Sequence, residues 1–406
     1  MAERPISYRD IFRLDDLPAL LGATVLSRLA SNMFSLTIVL YALHRFSSPA
    51  LAGWFGFAAV LPGLVVSPVA GALLDRVGPA IAITVDMAVS AALIGLLLAA
   101  DSLGWANPTV LLALVAAYSL TNPLSRAGVR TLLPRLVPPQ ALDRVNALDT
   151  AIYAAADVLG PSLAGLLTGF LGSSSALIAI ALLYGGAALC IRLVRHVPGS
   201  GAAGVSLLRQ AWDGIAVVIR QPTLRTLALS YSLYQITWGV LIIVVPVFAA
   251  RHFAGGTGSS AAGLIWAATG LAGGGGALAA GHLRTRGRER SVMALGMMVT
   301  ALAAWPLAAQ FGVDGLVLGL LLAGAAAGSI DVGLLTLRQR RTDPSQLGRV
   351  LSVSMSLNVI GFPLGSALAG MLIAQSLSAA FLFAGLASAL AALATMAIPK
   401  DIPGAT

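Results

Sequence analysis

The sequence holds almost no cysteine, few histidines and little charge: of 406 residues, one is cysteine, four are histidine, and 10% are charged. A single cysteine, Cys190, excludes an internal disulfide; set in an apolar run, it reads as a small core residue. No two histidines stand at metal-ligand spacing, and no nucleophile–base arrangement is visible. The glycine run Gly273–Gly276 continues into Ala277, not into the Lys-Ser/Thr of a phosphate-binding loop. No enzyme, cofactor or metal centre is therefore expected. Soluble domains carry about 25% charged residues. The 58% hydrophobic content here belongs instead to a polytopic membrane protein.

Twelve apolar stretches are long enough to span a bilayer as helices, which takes about 20 residues. They lie near 17–42, 50–73, 80–100, 108–129, 146–170, 174–194, 224–249, 259–281, 291–311, 314–336, 350–374 and 378–397. With that alternation, 21 of the 25 Lys and Arg fall on the side of the N-terminus. Arg45 and Arg251 fall opposite, and Arg28 and Arg126 lie inside spans. The positive-inside rule then puts both termini in the cytoplasm of the cell's inner (plasma) membrane. The net charge of +9 is a topology signal and not a nucleic-acid footprint. Residues 1–16 mix both charges without a cleavage pattern, so they read as a retained lead-in. Between spans 6 and 7, Leu208, Trp212, Ile215 and Ile219 recur at helical spacing, as in an amphipathic surface helix. This suggests two six-helix bundles, 1–195 and 223–406, joined by a cytoplasmic linker at 196–222.

The halves repeat one another. A shift of 205 residues lays Arg135 on Arg340, Pro139 on Pro344, Arg144 on Arg349, Gly160 on Gly365 and Gly165 on Gly370. A shift of 210 lays Gly71, Leu73 and Arg76 on Gly281, Leu283 and Arg286. A duplicated six-helix unit packed about a midplane site is a transporter architecture.

Charges inside spans cost about 2.5–3.5 kcal/mol each at a helix centre, so each needs a reason. Asp157 in span 5 and Arg28 in span 1 lie nearest the midplane; Asp86, Arg126, Asp149 and Asp331 lie nearer the basic face. A carboxylate in a partly dry cavity holds its proton more tightly, and a nearby arginine loosens it. Asp157 and Asp331 are thus the candidates for proton coupling. Arg28 and Arg126 are candidate charge partners, and Asp86 and Asp149 read as anchors for Arg76 or Arg126. Arg28 either pairs with Asp157 or offers its charge to an anionic or carbonyl-bearing substrate, with Asn32 one turn on. In span 7, Tyr231, Tyr234, Gln235 and Trp238 form a one-sided stripe suited to lining a cavity for an amphipathic or cationic guest.

The turn Gly71-Ala72-Leu73-Leu74-Asp75-Arg76-Val77-Gly78 resembles the signature between the second and third spans of the major facilitator superfamily, though the usual basic residues after the last glycine are missing. Val158-Leu159-Gly160-Pro161-Ser162-Leu163-Ala164-Gly165 is similar to the antiporter signature of facilitator exporters, with alanine at Ala147 and Ala156 for the expected glycines. Small residues there would let spans 5 and 8 approach closely. With Thr131–Pro138 and Val145–Leu148, the chain resembles the drug:proton antiporter branch that holds macrolide and siderophore exporters. Ser31 stands where that branch places a first-helix acid, which throws weight onto Asp157 and Asp331. The resemblance implies twelve helices in two pseudo-symmetric bundles, a cytoplasmic gate at Gly71, Leu73, Asp75, Arg76 and Gly78, and a monomer embedded in the lipid bilayer. It implies proton-coupled efflux of a small amphipathic compound. An importer or facilitator of a metabolite would share the fold, as would a scaffold without transport.

Overall fold

The computed structural model describes residues 11–138, 141–195, 215–254, 256–282, 287–342, 354 and 356–399, without the side chains of 68, 69, 71, 72, 75 and 143. The regular elements described are all helical. Twelve of the helices are long and apolar enough to cross a membrane: Leu17–Phe46, Pro49–Ser67, Pro79–Ser102, Pro108–Leu136, Arg144–Leu171, Ser173–Arg192, Pro222–His252, Thr257–His282, Glu289–Gln310, Gly312–Arg340, Ser356–Gln375 and Leu377–Met396. They are numbered here as spans 1 to 12. The lead-in before residue 11 and most of the proposed linker helix, including Leu208 and Trp212, lie outside the described residues.

Local chemistry explains the ends and breaks. Asn107 caps span 4 by accepting the Thr109 N–H at 2.9 Å, with Pro108 in the first turn. Ser376 caps span 12 through the Ala379 N–H. Span 2 breaks between Ala58 and Leu61, just before Pro62, and resumes as a helix to Val77. Span 9 takes a wider π turn over Ala303–Leu307, around Pro306, which has no N–H for the helical ladder. The stretch read as a turn over 71–78 is helical through Val77. The link to span 3 is Gly78 alone, at φ 86°, with Pro79 opening the next helix. Only glycine adopts that φ without strain, and proline's fixed φ starts the new helix.

The chain divides into two compact units. One comprises Met1–Ile38 and Ala58–Leu208, the other Val39–Phe57 and Arg209–Thr406. The end of span 1 and the start of span 2 thus group with the second unit, where Gly53 lies against the backbone of Ser366 and Gly370.

Within each unit the same close approaches recur. In the first, Gly63 of span 2 leaves room only for the Ser119 carbonyl of span 4; in the second, Gly273 of span 8 faces the Gly324 carbonyl of span 10. Gly128 lies on Ile83, and Gly333 on Met293. Gly160 lies on Asn32 and Met33, and Gly365 on Ile236. These pairs follow the shift of 210 for spans 2 and 3 and the shift of 205 for spans 4 and 5. A third shift, 204, relates span 1 to span 7. The duplication legible in the loops is thus also written into helix packing. Gly160 is taken up by span 1, and Gly276 by Ala325 of span 10, each inside its own unit.

Candidate functional site

The first unit encloses a polar cavity. Span 1 contributes Ser27, Arg28, Ser31 and Asn32, span 3 contributes Asp86, and span 4 contributes Asn122, Ser125 and Arg126. Tyr153 and Tyr184 complete the wall. The Arg28 guanidinium donates to both Asp149 oxygens, at 3.0 and 3.3 Å, and lies 4.7 Å from the Tyr153 ring centroid. Both charged side chains are only 12% exposed. Arg28 is therefore a charge partner, and the carboxylate its guanidinium grips is Asp149, two turns before Asp157. The reason is side-chain direction. Gly160 against Asn32 sets the backbone of Asp157 level with Arg28. A helical side chain tilts toward its own N-terminus, so the long arginine reaches back two turns, to the level of Asp149 and Tyr153. Asp157 is exposed on the same helix.

Asp86, 1% exposed, anchors neither Arg76 nor Arg126 by a hydrogen bond. It accepts the hydroxyl of Ser125 on one oxygen and that of Ser90 at 3.4 Å on the other. Arg126 is close enough to act on Asp86 electrostatically, while its own side chain is exposed at the cavity wall. Tyr184 meets the Tyr118 hydroxyl at 2.6 Å, extending the polar wall inward.

The second unit carries a different arrangement. The Tyr231 hydroxyl of span 7 donates to the Asp331 carboxylate of span 10 at 2.5 Å. From Tyr231 the rings continue through Tyr234 at 5.9 Å and Trp238 at 6.2 Å to Trp266 of span 8, 6.0 Å further. Such spacings with tilted or edge-on planes suit aromatic pairs. Tyr234 is not a cavity wall: at 1% exposure it packs among Met293, Met297 and Ile330, and its hydroxyl meets Thr300. Residues three and four apart on one stripe still diverge around the helix, which turns Tyr234 into the core. Gln235 and Trp238 are half-buried.

Two residues escaped sequence reasoning. Trp266 lay in a Gly/Ala-rich span with nothing to mark it, yet it ends the aromatic run, and its indole N–H is buried without a partner. Arg338, counted among the surface arginines of the basic face, is 1% exposed and two turns beyond Asp331 on the same helix. Its place within seven residues of an intramembrane acid was the available signal.

Of the gate motif, Gly71 and Asp75 lie in the helix before Gly78, with their side-chain positions outside the described residues. Leu73 and Arg76 are exposed there, and Leu74 is buried against span 4. Pro161 sits inside span 5, and Gly165 is buried one turn beyond it.

The sequence pattern of the Major Facilitator Superfamily matches residues 20–286 and 227–405. An uncharacterized MFS-type transporter, y4rN, of Sinorhizobium fredii (strain NBRC 101917 / NGR234) is 58% identical over 98% of both chains. The multidrug efflux pump Tap of Mycolicibacterium fortuitum is 26% identical over 84% of this chain and 86% of its own. Among solved structures, the nucleoside transporter NupG aligns with a TM-score of 0.73 at 16% identity, over 95% of this chain and all of the other. At that identity the likeness concerns the fold alone.

Proposed function

The chain belongs to the major facilitator superfamily, and from that premise we propose that this multi-pass transporter exports a small amphipathic compound in exchange for protons. The observation that carries the reading is the Tyr231–Asp331 contact at the head of an aromatic run. Rings offer area to an apolar body, and a carboxylate whose partner is a neutral hydroxyl is placed to take and release a proton. The likeness to a multidrug efflux pump supports the outward direction. In this reading the bundles at 1–195 and 223–406 rock about a central site as a monomer in the inner membrane, with both termini cytoplasmic. Asp331 carries the proton and Asp157 is a second acid open to water. Arg28 and Arg126 supply fixed positive charge, Gly160, Pro161 and Gly165 shape span 5, and the residues from Gly71 to Gly78 close the cytoplasmic end.

A second reading, uptake or facilitated passage of a small metabolite, is favoured by the ion-paired polar cavity of the first unit. Cells expressing the protein decide between the two. Export requires that members of a panel of amphipathic compounds accumulate less, and that a protonophore abolish the difference. Raised accumulation would establish uptake; an unchanged deficit with protonophore present would remove the proton. With Asp75→Asn, normal insertion with reduced efflux is expected of a gate residue.

A further inference from the structure

The first unit's cavity presents donors in excess of what its own acceptors use. Arg28 commits Nη2 to Asp149, while its Nε–H is buried without any partner. An unmet buried N–H is costly, and a guanidinium offers no alternative protonation state to relieve it. Arg126, on the same wall, makes no hydrogen bond or ion pair among the described residues, and its side chain is exposed. Asp86 lines the same cavity and feels the Arg126 charge, but its oxygens accept from Ser125 and Ser90 and it forms no ion pair with Arg126. A molecule entering the cavity therefore meets the guanidinium fork of Arg126 and the amides of Asn32 and Asn122, with the unmet Arg28 Nε–H buried just behind the wall and open to a partner only if Arg28 shifts. Two N–H groups in one plane match the two oxygens of a carboxylate.

We propose that this cavity binds the carboxylate of the transported compound, with Arg126 as the bidentate donor and the Arg28 Nε–H as a further one. The proposal rests on the transport reading and narrows its substrate class to carboxylate-bearing amphiphiles. Charge favours a monoanion over a phosphate dianion. Asp149 already balances Arg28, which leaves the Arg126 charge without an ion-pair partner among the described residues to meet one negative charge, while the nearby Asp86 carboxylate disfavours a second.

The test uses the full-length protein in lipid nanodiscs and three fluorescent probes of one body: N-dansylglycine, its neutral amide, and the matching dansyl aminomethylphosphonate. The wild type is expected to bind the acid at least tenfold more tightly than the amide and no more weakly than the phosphonate. Arg126→Gln should bring acid and amide within twofold while leaving the amide unchanged, and Arg126→Lys, which keeps the charge but not the fork, should fall between. Acid and amide binding alike in the wild type, absence of acid binding, a preference that survives Arg126→Gln, or tighter binding of the phosphonate would each overturn the proposal. The transport reading is judged separately in proteoliposomes. Movement of neutral or cationic compounds driven by a pH gradient, with no preference for acids, retains export and removes this site. Acid binding with no driven movement does the reverse.

Discussion

Span 4 of the first unit carries Arg126, and at the matching place 205 residues on, span 10 of the second carries Asp331. Around both, the glycine contacts are the same: Gly128 on Ile83 beside one, Gly333 on Met293 beside the other. The first unit places an arginine–aspartate pair and hydroxyls about its cavity, the second a tyrosine-held carboxylate and a run of rings. The difference shows which positions a duplicated bundle holds fixed. Where backbones approach, a methyl group has no room in either half, so the glycine stays. Where a side chain faces open space, either sign of charge is compatible with the same helix packing. The two halves therefore share a skeleton and divide the chemistry.

The largest expected effect concerns the division itself. Asp331→Asn should reduce gradient-driven transport by roughly a hundredfold, within the range a lost proton-transferring group costs, while downhill equilibration in proteoliposomes persists. The same loss from Asp157→Asn, with Asp331→Asn silent, would move coupling to the first unit.

A smaller but clear effect is expected at the ion pair. Asp149→Asn leaves the largely buried Arg28 charge uncompensated, at a cost of about 3 kcal/mol in stability. Thermal unfolding in detergent should show this, and Arg28→Gln added to Asp149→Asn should recover part of it. An Asp149→Asn protein as stable as the wild type would mean that water or Tyr153 suffices for Arg28.

The shared skeleton predicts equal damage at matched glycines. Gly160→Ala would set a methyl 2.5 Å from the Asn32 Cβ, and Gly365→Ala would set one against the Ile236 carbonyl. Each should lower stability by about 1–3 kcal/mol. Gly95→Ala, with nothing within 4 Å, should be close to neutral in the same melting assay. One matched glycine tolerant and the other not would break the comparison.

The smallest effect is expected in the second unit's rings. Trp266→Ala removes the last ring contact, about 0.5–1.5 kcal/mol beyond area burial. It should change the relative export of compounds severalfold without lowering protein abundance. An unaltered export pattern would leave Trp266 as packing alone.

The spans, the duplication and the concentration of charge were legible because each rests on local composition or on a shift along the chain. Sequence placed the ends of span 3 at 80–100 against Pro79–Ser102 in the fold, since Gly78 and Pro79 act locally. It also set Arg28 near Asp157 in depth, and Gly160 of span 5 lies on Asn32 of span 1, a turn beyond each. Only the tertiary structure decided that the arginine reaches back to Asp149, because that depends on side-chain direction and on the facing helix. Depth along a helix is a one-dimensional quantity that sequence carries. The angle around the helix, which sends Tyr234 into the core and brings Trp266 beside Trp238, is fixed only when neighbouring helices pack.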